Sequence, residues 1–264
     1  MSGEIQSMLE FRDVAKSFRR NERRMLALEH FNIRIQPGEF VSVVGPSGCG
    51  KSTLLNLAAG LSMPSAGQVF YRGAPVKGIN RAVGYITQRD NLLPWATVYD
   101  NIVLGLRVRH TPRQEEKSRA EKMLEFIGLQ EFRLHFPAEL SGGMRKRVAL
   151  ARTLIYSPEM VLMDEPFSAL DAHVKLVMHE ELLRIWESDR KTILFITHDL
   201  IEAITLSDRI CLMSSRPGRV KLEMEIAIPR PRDPYTLHTT QEFNAIFSRL
   251  WEALKDDIRK GTEV

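Results

Sequence analysis

Hydrophobic and polar residues alternate near the start of the chain and then give way to an apolar run. The alternation covers residues 8–14 and 31–35, and it predicts two half-exposed antiparallel strands. After a Pro-Gly turn at 36–38, segment 40–44 is apolar except for one serine. A run of this length is typical of a strand that is buried on both faces. The pattern therefore predicts an antiparallel β unit followed by the first strand of a buried sheet.

Helical periodicity dominates the middle of the chain. A helix is predicted over residues 51–60, and residues 92–155 follow a largely helical pattern. Within that stretch, Thr111 and Pro112 predict a capping box that starts a helix, and Gly128 predicts its end. Further short strands are predicted at 68–71, 83–86, 160–163, 192–197 and 210–214. This order predicts an α/β domain whose parallel sheet is covered on both faces and interrupted by a helical insertion.

The C-terminal part of the chain has a different pattern. Prolines and arginines at 229–234 predict a linker, and an amphipathic helix is predicted beyond it. Its apolar stripe consists of Phe243, Phe247, Leu250, Leu254 and Ile258. The stripe either packs on its own domain or forms a surface for a partner. We therefore expect one domain over 1–230, with a helical subdomain at about 92–155, and a linker and helix over 231–264.

Composition indicates a soluble protein. The 264 residues are 44% hydrophobic and 27% charged, which is ordinary for globular proteins. No apolar run is long enough to span a bilayer, and the first residues lack the layout of a secretory signal. The two cysteines, Cys49 and Cys211, are too few for a disulfide framework or a zinc cluster. We expect a cytosolic protein.

The charge gives little indication of nucleic-acid binding. The 37 basic and 33 acidic residues leave a net charge of +4. The densest basic runs, at 19–24 and 145–147, are not interleaved with aromatic residues. A dedicated nucleic-acid binder concentrates more positive charge than this. We therefore expect solvated basic surfaces and no nucleic-acid partner.

One loop predicts nucleotide binding. The pattern G-x-x-x-x-G-K-[S/T] is matched by Gly45, Pro46, Ser47, Gly48, Cys49, Gly50, Lys51 and Ser52. Such a loop turns backbone N–H groups toward phosphates at the start of a helix. Lys51 then reaches the β- and γ-phosphates and Ser52 offers a hydroxyl to Mg²⁺, while Cys49 fills space. The expected ligands are ATP and Mg²⁺.

Two carboxylates follow a predicted strand. Asp164 and Glu165 come directly after the apolar run 160–163. A strand-end aspartate beside a phosphate loop typically holds the metal, directly or through water. The neighbouring glutamate is then placed to polarise the attacking water as a general base. The pair predicts ATP hydrolysis rather than binding alone.

A third motif precedes a predicted helix. Leu140 and Ser141 are followed by Gly142 and Gly143. A serine cap with two glycines leaves an exposed, electropositive helix end that suits an anion.

With these motifs, the chain resembles the ATP-binding subunits of ABC transporters over most of its length, to about residue 225. The resemblance implies a P-loop NTPase core with an N-terminal antiparallel β subdomain and an inserted α-helical subdomain. It extends the phosphate loop to Thr53 and makes 141–143 the family signature. It also implies that Phe18 stacks on adenine and that Gln88 senses Mg²⁺ and water. Asp171 would belong to a loop that touches the opposite subunit, and His198 would be the switch histidine.

The resemblance further implies an assembly. Two copies pack head to tail, and each ATP lies between the phosphate loop of one copy and the signature of the other. Ser141 and Gly143 would contact the γ-phosphate held by Lys51 of the second copy, and His198 would help to orient Glu165. Integral-membrane permease subunits are the expected partners, at the cytoplasmic face of the membrane, and an extracytoplasmic solute-binding protein is an indirect one.

The segment 92–95, Leu-Leu-Pro-Trp, is an apolar patch where relatives receive the permease, and Trp95 is either exposed there or a core residue. Together with 142–145 and 214–219, this segment looks most like importers of nitrate, sulfonates, taurine and related small solutes. One alternative is a soluble ABC ATPase that acts on nucleic acid or ribosomes, but those proteins usually carry two cassettes or a long coiled-coil insertion. A catalytically silent module is disfavoured because every predicted catalytic residue is present.

Overall fold

Two β-sheets form the framework of the protein. The computed structural model describes residues 6–20, 23–168 and 170–262. An antiparallel sheet in the order β2-β1-β4-β5 consists of β1 (Leu9–Arg20), β2 (Arg23–Ile35), β4 (Ala66–Tyr71) and β5 (Ala74–Pro75). A second sheet, in the order β10-β9-β3-β8-β7-β6, consists of β3 (Phe40–Val44), β6 (Val83–Ile86), β7 (Met160–Asp164), β8 (Thr192–Thr197), β9 (Arg209–Met213) and β10 (Val220–Glu225).

The second sheet is parallel except at one edge. Strand β3 lies between β8 and β9 in parallel register, and β8, β7 and β6 continue that direction. All residues of β3 and β8 are buried, which confirms the predicted buried strand at 40–44 and the predicted strand at 192–197. Strand β10 pairs antiparallel with β9 and was not predicted. Because the carboxyl ends of neighbouring parallel strands meet at one edge, the segments after β3, β6, β7 and β8 come together there.

The helices cover the sheets and form the insertion. They are α1 (Lys51–Ala58), α2 (Val98–Val108), α3 (Arg113–Phe126), α4 (Gly142–Leu154), α5 (Ala172–Asp189), α6 (Leu200–Leu206) and α7 (Gln241–Thr262), with short 3-10 turns at Pro137–Glu139 and Leu237–Thr239. In the chain, helices α2, α3 and α4 come between β6 and β7. They share a hydrophobic cluster that includes Ile102, Leu124 and Val148. The predicted helical insertion is thus present. Among the helices that the structure describes, none is long and apolar enough to span a bilayer.

The predicted capping box at Thr111 is wrong. Helix α3 begins at Arg113, and Pro112 is its N-cap residue, with no side-chain cap hydrogen bond. The backbone N–H of Thr111 instead donates to the carbonyl oxygen of Leu106 at 3.0 Å. Thr111 therefore belongs to the turn that closes α2, and its backbone is committed there before α3 starts.

The C-terminal helix packs on its own chain. Phe243, Leu250 and Leu254 are buried in a cluster with Ala203 and Ile204 of α6. This confirms the first of the two predicted roles of the apolar stripe, although the side chain of its last member, at position 258, lies outside the described residues.

Arg232 fixes the segment that leads to α7. Its buried guanidinium donates to the carbonyl oxygens of Ile204, Thr205 and Ser207 at the end of α6, and to those of Ile226 and Ile228. Burial lowers the pKa of Arg232 to about 10. A cation suits this position because the carbonyls at the end of a helix lack helical partners and carry partial negative charge.

A buried carboxylate on β1 gives the antiparallel sheet a pH-dependent stability. Arg12 and Arg34 donate to Glu10 at 2.8 and 2.7 Å, and these hydrogen bonds lower the pKa of Glu10 from 4.5 to about 2. A lowered folded-state pKa stabilises the protein above the unfolded pKa, and that contribution is lost as the pH falls through the folded pKa.

We expect Glu10→Gln to lower the free energy of unfolding near neutral pH by only about 1 kcal/mol. Arg12 and Arg34 are exposed, so solvent screens their interaction with Glu10. Urea unfolding at about pH 7 and about pH 3 checks this, since the difference from the unsubstituted protein should shrink at the acidic value. A difference that is equal at both values would contradict the assignment.

Candidate nucleotide-binding site

A cavity of about 350 Å³ opens at the edge where the parallel strands end. Its walls come from the antiparallel sheet, the loop after β3 and the segments after β6, β7 and β9. The lining residues are Phe18, Met25, Ala27, Ser47, Gly48, Gly50, Lys51, Ser52, Thr53, Gln88, Glu165 and Arg216. Binding sites of open α/β sheets commonly lie at this edge, so the fold itself brings most of the predicted residues together.

The phosphate loop connects β3 to α1 in a conformation that requires glycine. Gly50 has φ +110° and is the N-cap residue of α1. A Cβ atom there would lie 2.9 Å from both the carbonyl oxygen of Ala27 and a methyl group of Leu28. Cys49 beside it is buried, and burial raises the pKa of its thiol. The loop is therefore pressed against β2, with a neutral thiol filling space beneath it.

Lys51 is folded back over the loop. Its ammonium is 6% exposed, donates to the carbonyl oxygens of Gly45 at 2.8 Å and Pro46 at 3.1 Å, and lies 3.7 Å from a carboxylate oxygen of Glu165. A buried ammonium with these partners is a strong, fixed positive charge. It sits where phosphates that are cradled by the loop would meet it.

Asp164 and Ser52 form an oxygen pair beside the ammonium. The Ser52 hydroxyl donates to Asp164 Oδ1 at 3.2 Å. Burial raises the pKa of Asp164, and the hydrogen bond from Ser52 opposes that shift. A desolvated carboxylate is stabilised by a cation, and carboxylate and hydroxyl oxygens are the ligands that Mg²⁺ prefers.

The pair therefore fits Mg²⁺ that is shared with a nucleotide, because Mg²⁺ in ATPases usually takes one or two protein carboxylates and several phosphate or water oxygens. Within 6–20, 23–168 and 170–262, no group of three or more His, Cys, Asp or Glu side chains could hold a metal ion by itself.

Glu165 is held in an uncommon backbone conformation. Its φ of +43° is in the left-handed region, which is costly for a residue with a side chain. Its backbone N–H donates to the carbonyl oxygen of Ile196 on β8 at 2.9 Å, and its own carbonyl accepts from the Ser168 hydroxyl at 3.0 Å. The side chain lies 3.0 Å from Nδ1 of His198. These contacts aim the carboxylate into the cavity and hold it beside the histidine.

Gln88 approaches the same place from the segment after β6. Its amide donates to the Ser168 hydroxyl at 3.4 Å, so it is connected to Glu165 through one serine. The structure thus brings Gln88, Glu165 and His198 to one side of the phosphate loop. Phe18 lines the cavity from strand β1 and is 40% exposed.

The remaining predicted residues lie elsewhere on the surface. Ser141 caps α4 and accepts from the backbone N–H of Met144 at 3.3 Å, while Asp171 caps α5 and accepts from that of Val174 at 3.0 Å. Gly143 is packed so closely on α5 that a Cβ atom would lie 2.8 Å from Val174. Ser141, Gly142, Gly143 and Asp171 are not among the described residues that line the cavity. The Ser141 cap fixes the start of α4, which is not buried.

Three lining residues were missed by the motifs. Met25 and Ala27 follow Phe18 across the β1–β2 hairpin, and Arg216 comes from the turn after β9. No sequence motif indicates that the β1–β2 hairpin packs beside the phosphate loop. Arg216 could have been suspected from its position after a buried strand, where the other site segments also lie.

The chain is similar to ATP-binding proteins of ABC transporters. The family model described as ABC transporter matches residues 28–168. An ABC transporter ATP-binding protein of Methanocaldococcus jannaschii is 42% identical over 253 residues, which cover 96% of this chain and 93% of the relative. An aliphatic sulfonates import ATP-binding protein of Bacillus cereus is 40% identical over 233 residues, covering 88% and 90%. A nitrate import ATP-binding protein of Synechococcus elongatus is 44% identical over 230 residues, covering 85% and 83%.

A solved structure agrees with these relatives. It is a dimeric, post-hydrolysis ATP-binding cassette bound to ADP and phosphate, with a TM-score of 0.74 and 32% sequence identity. The match covers 84% of this chain and all of that one. The fold is that of the ABC ATPases, as the resemblance of the sequence implied. The chain belongs to the ABC transporter family, as one of its ATP-binding ATPase subunits.

Proposed function

We propose that this subunit powers an importer of nitrate, a sulfonate, taurine or a related small solute. The observation that carries the hydrolytic part is the contact of His198 with Glu165 beside the buried ammonium of Lys51. Support for the import of such solutes comes from the relatives that are named for sulfonate and nitrate import. The names of those relatives do not favour a soluble ATPase that acts on nucleic acid or ribosomes.

In this proposal, Glu165 is the general base of hydrolysis. Its carboxylate takes a proton from the attacking water, whose oxygen bonds to the γ-phosphorus while the bond to the β-γ bridging oxygen breaks, giving ADP and phosphate. His198 contacts the γ-phosphate and holds the carboxylate in place. Gln88, which contacts Ser168 next to Glu165, helps to position the water.

Lys51 and the loop hold the phosphates. The ammonium now bonded to Gly45 and Pro46 exchanges those carbonyls for β- and γ-phosphate oxygens, which are stronger acceptors. Ser47, Gly48, Gly50 and Thr53 complete the loop around them. Phe18, which lines the cavity from β1, stacks on the adenine base.

Ser52 and Asp164 are the residues that would hold Mg²⁺, and Gln88 would sense the ion. When bound, the ion neutralises the charge that develops on the phosphate oxygens. The chain would contribute one hydroxyl and one carboxylate to it. Burial raises the pKa of Asp164, and a bound cation would stabilise the charged form of this carboxylate.

A second copy completes the site. The phosphate loop faces a cavity that the residues 141–143 do not line, yet the start of α4 offers N–H groups to an anion. In a head-to-tail pair, these N–H groups and Ser141 reach the γ-phosphate on the partner copy, with Asp171 at the contact. The dimeric cassette that this chain resembles supports the arrangement.

The permease binds near Trp95. This side chain is 74% exposed, so the alternative of a core residue is wrong. A permease bound there would cover this exposed apolar side chain. Trp95 lies in the segment that joins Gln88 to α2. The same segment would therefore connect the membrane subunit, at the cytoplasmic face, to the catalytic cavity. An extracytoplasmic solute-binding protein would deliver the solute.

We expect Trp95→Ala to lower solute uptake about tenfold while basal hydrolysis of the isolated subunit changes less than twofold, because the side chain contacts a partner rather than the nucleotide. Uptake by proteoliposomes that contain the permease, together with phosphate release without it, checks this. Trp251→Ala is the matched control, since Trp251 is 45% exposed on α7. Equal losses in both assays would contradict the docking role of Trp95.

The proposed function as a whole is tested with the full chain and its permease in proteoliposomes. Uptake of nitrate, taurine or an alkanesulfonate that requires internal ATP would support it. Hydrolysis that nucleic acid or ribosomes stimulate, without uptake of any of these solutes, would overturn the importer assignment.

A further inference from the structure

Arg216 reaches the nucleotide cavity from the turn at 214–219, to which the sequence analysis assigned no role in nucleotide binding. The turn connects β9 to β10, and the guanidinium lines the cavity between the phosphate loop and the β1–β2 hairpin. Nε and Nη2 both donate to the carbonyl oxygen of Gly48, at 3.1 and 2.8 Å. Nη1 lies 2.8 Å from the sulfur of Met25. One side chain therefore spans the two walls of the cavity.

The turn that presents Arg216 is fixed on both sides. The N–H of Gly218 donates to Ala27 at 2.9 Å, and its carbonyl accepts from Glu29 at 3.1 Å. A Cβ atom on Gly218 would lie 2.2 Å from the carbonyl oxygen of Cys49, so the backbones of turn and loop are in direct contact. From the C-terminal helix, the carboxylate of Asp257 accepts the N–H of Ser215 at 3.0 Å. The guanidinium is thus held in place before any ligand arrives.

The partners of the guanidinium leave part of it poorly satisfied. Arginine has five N–H donors, and two of its nitrogens share a single carbonyl here. A thioether sulfur is a weak acceptor, so the donor that faces Met25 has a poor partner. An anionic oxygen in the cavity would be a better one, because charge-assisted hydrogen bonds are about twice as strong as neutral ones.

The position of Arg216 between the hairpin and the phosphate loop indicates which part of a bound nucleotide it would contact. Phe18, proposed for the base, pairs with Met25 on the hairpin wall, and Gly48 belongs to the loop proposed for the β- and γ-phosphates. Arg216 contacts both Met25 and Gly48. The ribose and the α-phosphate must join the base to the β- and γ-phosphates, and only the α-phosphate is anionic. We propose that Arg216 binds the α-phosphate of the nucleotide; this rests on the proposed ATP site, with its base at Phe18.

Such a contact strengthens binding without taking part in the chemistry. The α-phosphate is present in both ATP and ADP and is not transferred. An interaction that is equal in the ground state and the transition state lowers KM and leaves kcat unchanged. Arg216 therefore sets nucleotide affinity, and its effect is the same for substrate and product.

The test compares Arg216→Ala with Arg219→Ala in the full chain. Arg219 is on the same turn but pairs with Glu29 and does not line the cavity. For Arg216→Ala we expect Kd for ATP and for ADP, and KM for ATP, to rise by about tenfold, with kcat changing less than twofold. Arg219→Ala should leave all four values near those of the unsubstituted protein. Arg216→Lys keeps the charge but not the fork and should fall between them.

Three results would overturn the inference: unchanged Kd values, a loss for ATP without a loss for ADP, or a fall in kcat with affinity retained. The last would mean that Arg216 only braces the loop. If Arg216→Ala lowers the melting temperature of the nucleotide-free protein, Arg216→Lys decides by the same criteria. Failure of the unsubstituted protein to bind ATP would instead overturn the proposed site itself, so the two failures are distinguishable.

Discussion

Replacing Glu165 by glutamine is expected to abolish ATP turnover while ATP binding is retained. Glutamine has nearly the same shape but cannot accept a proton from water. General-base catalysis contributes roughly 10²–10⁴-fold to a rate, so we expect a fall of at least about 100-fold. Affinity should persist because the proposed phosphate ligands are Lys51 and the loop, and the backbone bonds of residue 165 to Ile196 and Ser168 do not involve its carboxylate.

Phosphate release and equilibrium ATP binding, measured on the same preparation, check this expectation. Glu159→Gln is the matched control, because Glu159 directly precedes the same strand and its carboxylate contacts Tyr71 and Arg72 outside the cavity. It should hydrolyse ATP near the normal rate. Near-normal hydrolysis by Glu165→Gln would contradict the general-base assignment.

The second large effect is expected for Lys51→Ala, which should weaken ATP binding by about 100-fold. The ammonium is the buried cation of the phosphate loop, and each hydrogen bond from a charged donor contributes about 1.5–3 kcal/mol. Two such bonds to phosphate oxygens account for a loss of this size. Hydrolysis at ordinary ATP concentrations should fall with it.

Titration with a fluorescent ATP analogue measures the loss. The substitution also removes the donor to the carbonyls of Gly45 and Pro46, so thermal unfolding of the nucleotide-free protein is measured in parallel. A drop in affinity at an unchanged melting temperature assigns the effect to phosphate binding. ATP affinity equal to that of the unsubstituted protein would mean that the loop does not hold phosphates.

Contiguous motifs made the phosphate loop predictable. Its residues are adjacent in sequence, and the apolar run before them and the helical pattern after them fix their place at the end of a strand. The carboxylates at Asp164 and Glu165 follow the same logic, because a parallel sheet brings the carboxyl ends of its strands to one edge. Where a function depends on one strand-loop-helix unit, local pattern is sufficient.

Features that depend on contacts between distant segments were not predictable. The φ of +43° at Glu165 is imposed by bonds to β8 and to Ser168, neither of which the local sequence reveals. Arg216 enters the cavity only because its turn packs against β2 and the loop. The helix start at Thr111 was predicted wrongly because a preceding helix claimed its backbone N–H.

Strand β10 shows a different omission. Val220, Leu222 and Met224 alternate with charged residues, which is the pattern of an edge strand with one covered face. The alternation along β10 is visible in the sequence. The burial of Arg232 is not, because its five carbonyl partners come from the end of α6 and from the segment after β10.

In the proposed site, hydrolysis needs two copies, with the start of α4 from one completing the cavity of the other. Gly142 allows a substitution that would block this contact, because a Cβ atom there would meet no atom closer than 3.8 Å. Aspartate is accepted at the first turn of a helix, so Gly142→Asp should fold and keep its own phosphate loop, but it places a negative charge where the partner's γ-phosphate would lie.

The most direct test is the molar mass of Glu165→Gln by light scattering, with and without ATP and Mg²⁺. We expect a monomer without nucleotide and a dimer with it, and a monomer in both conditions when Gly142→Asp is added. A Glu165→Gln protein that binds ATP and stays monomeric at saturating concentrations would show that a second copy does not complete the site.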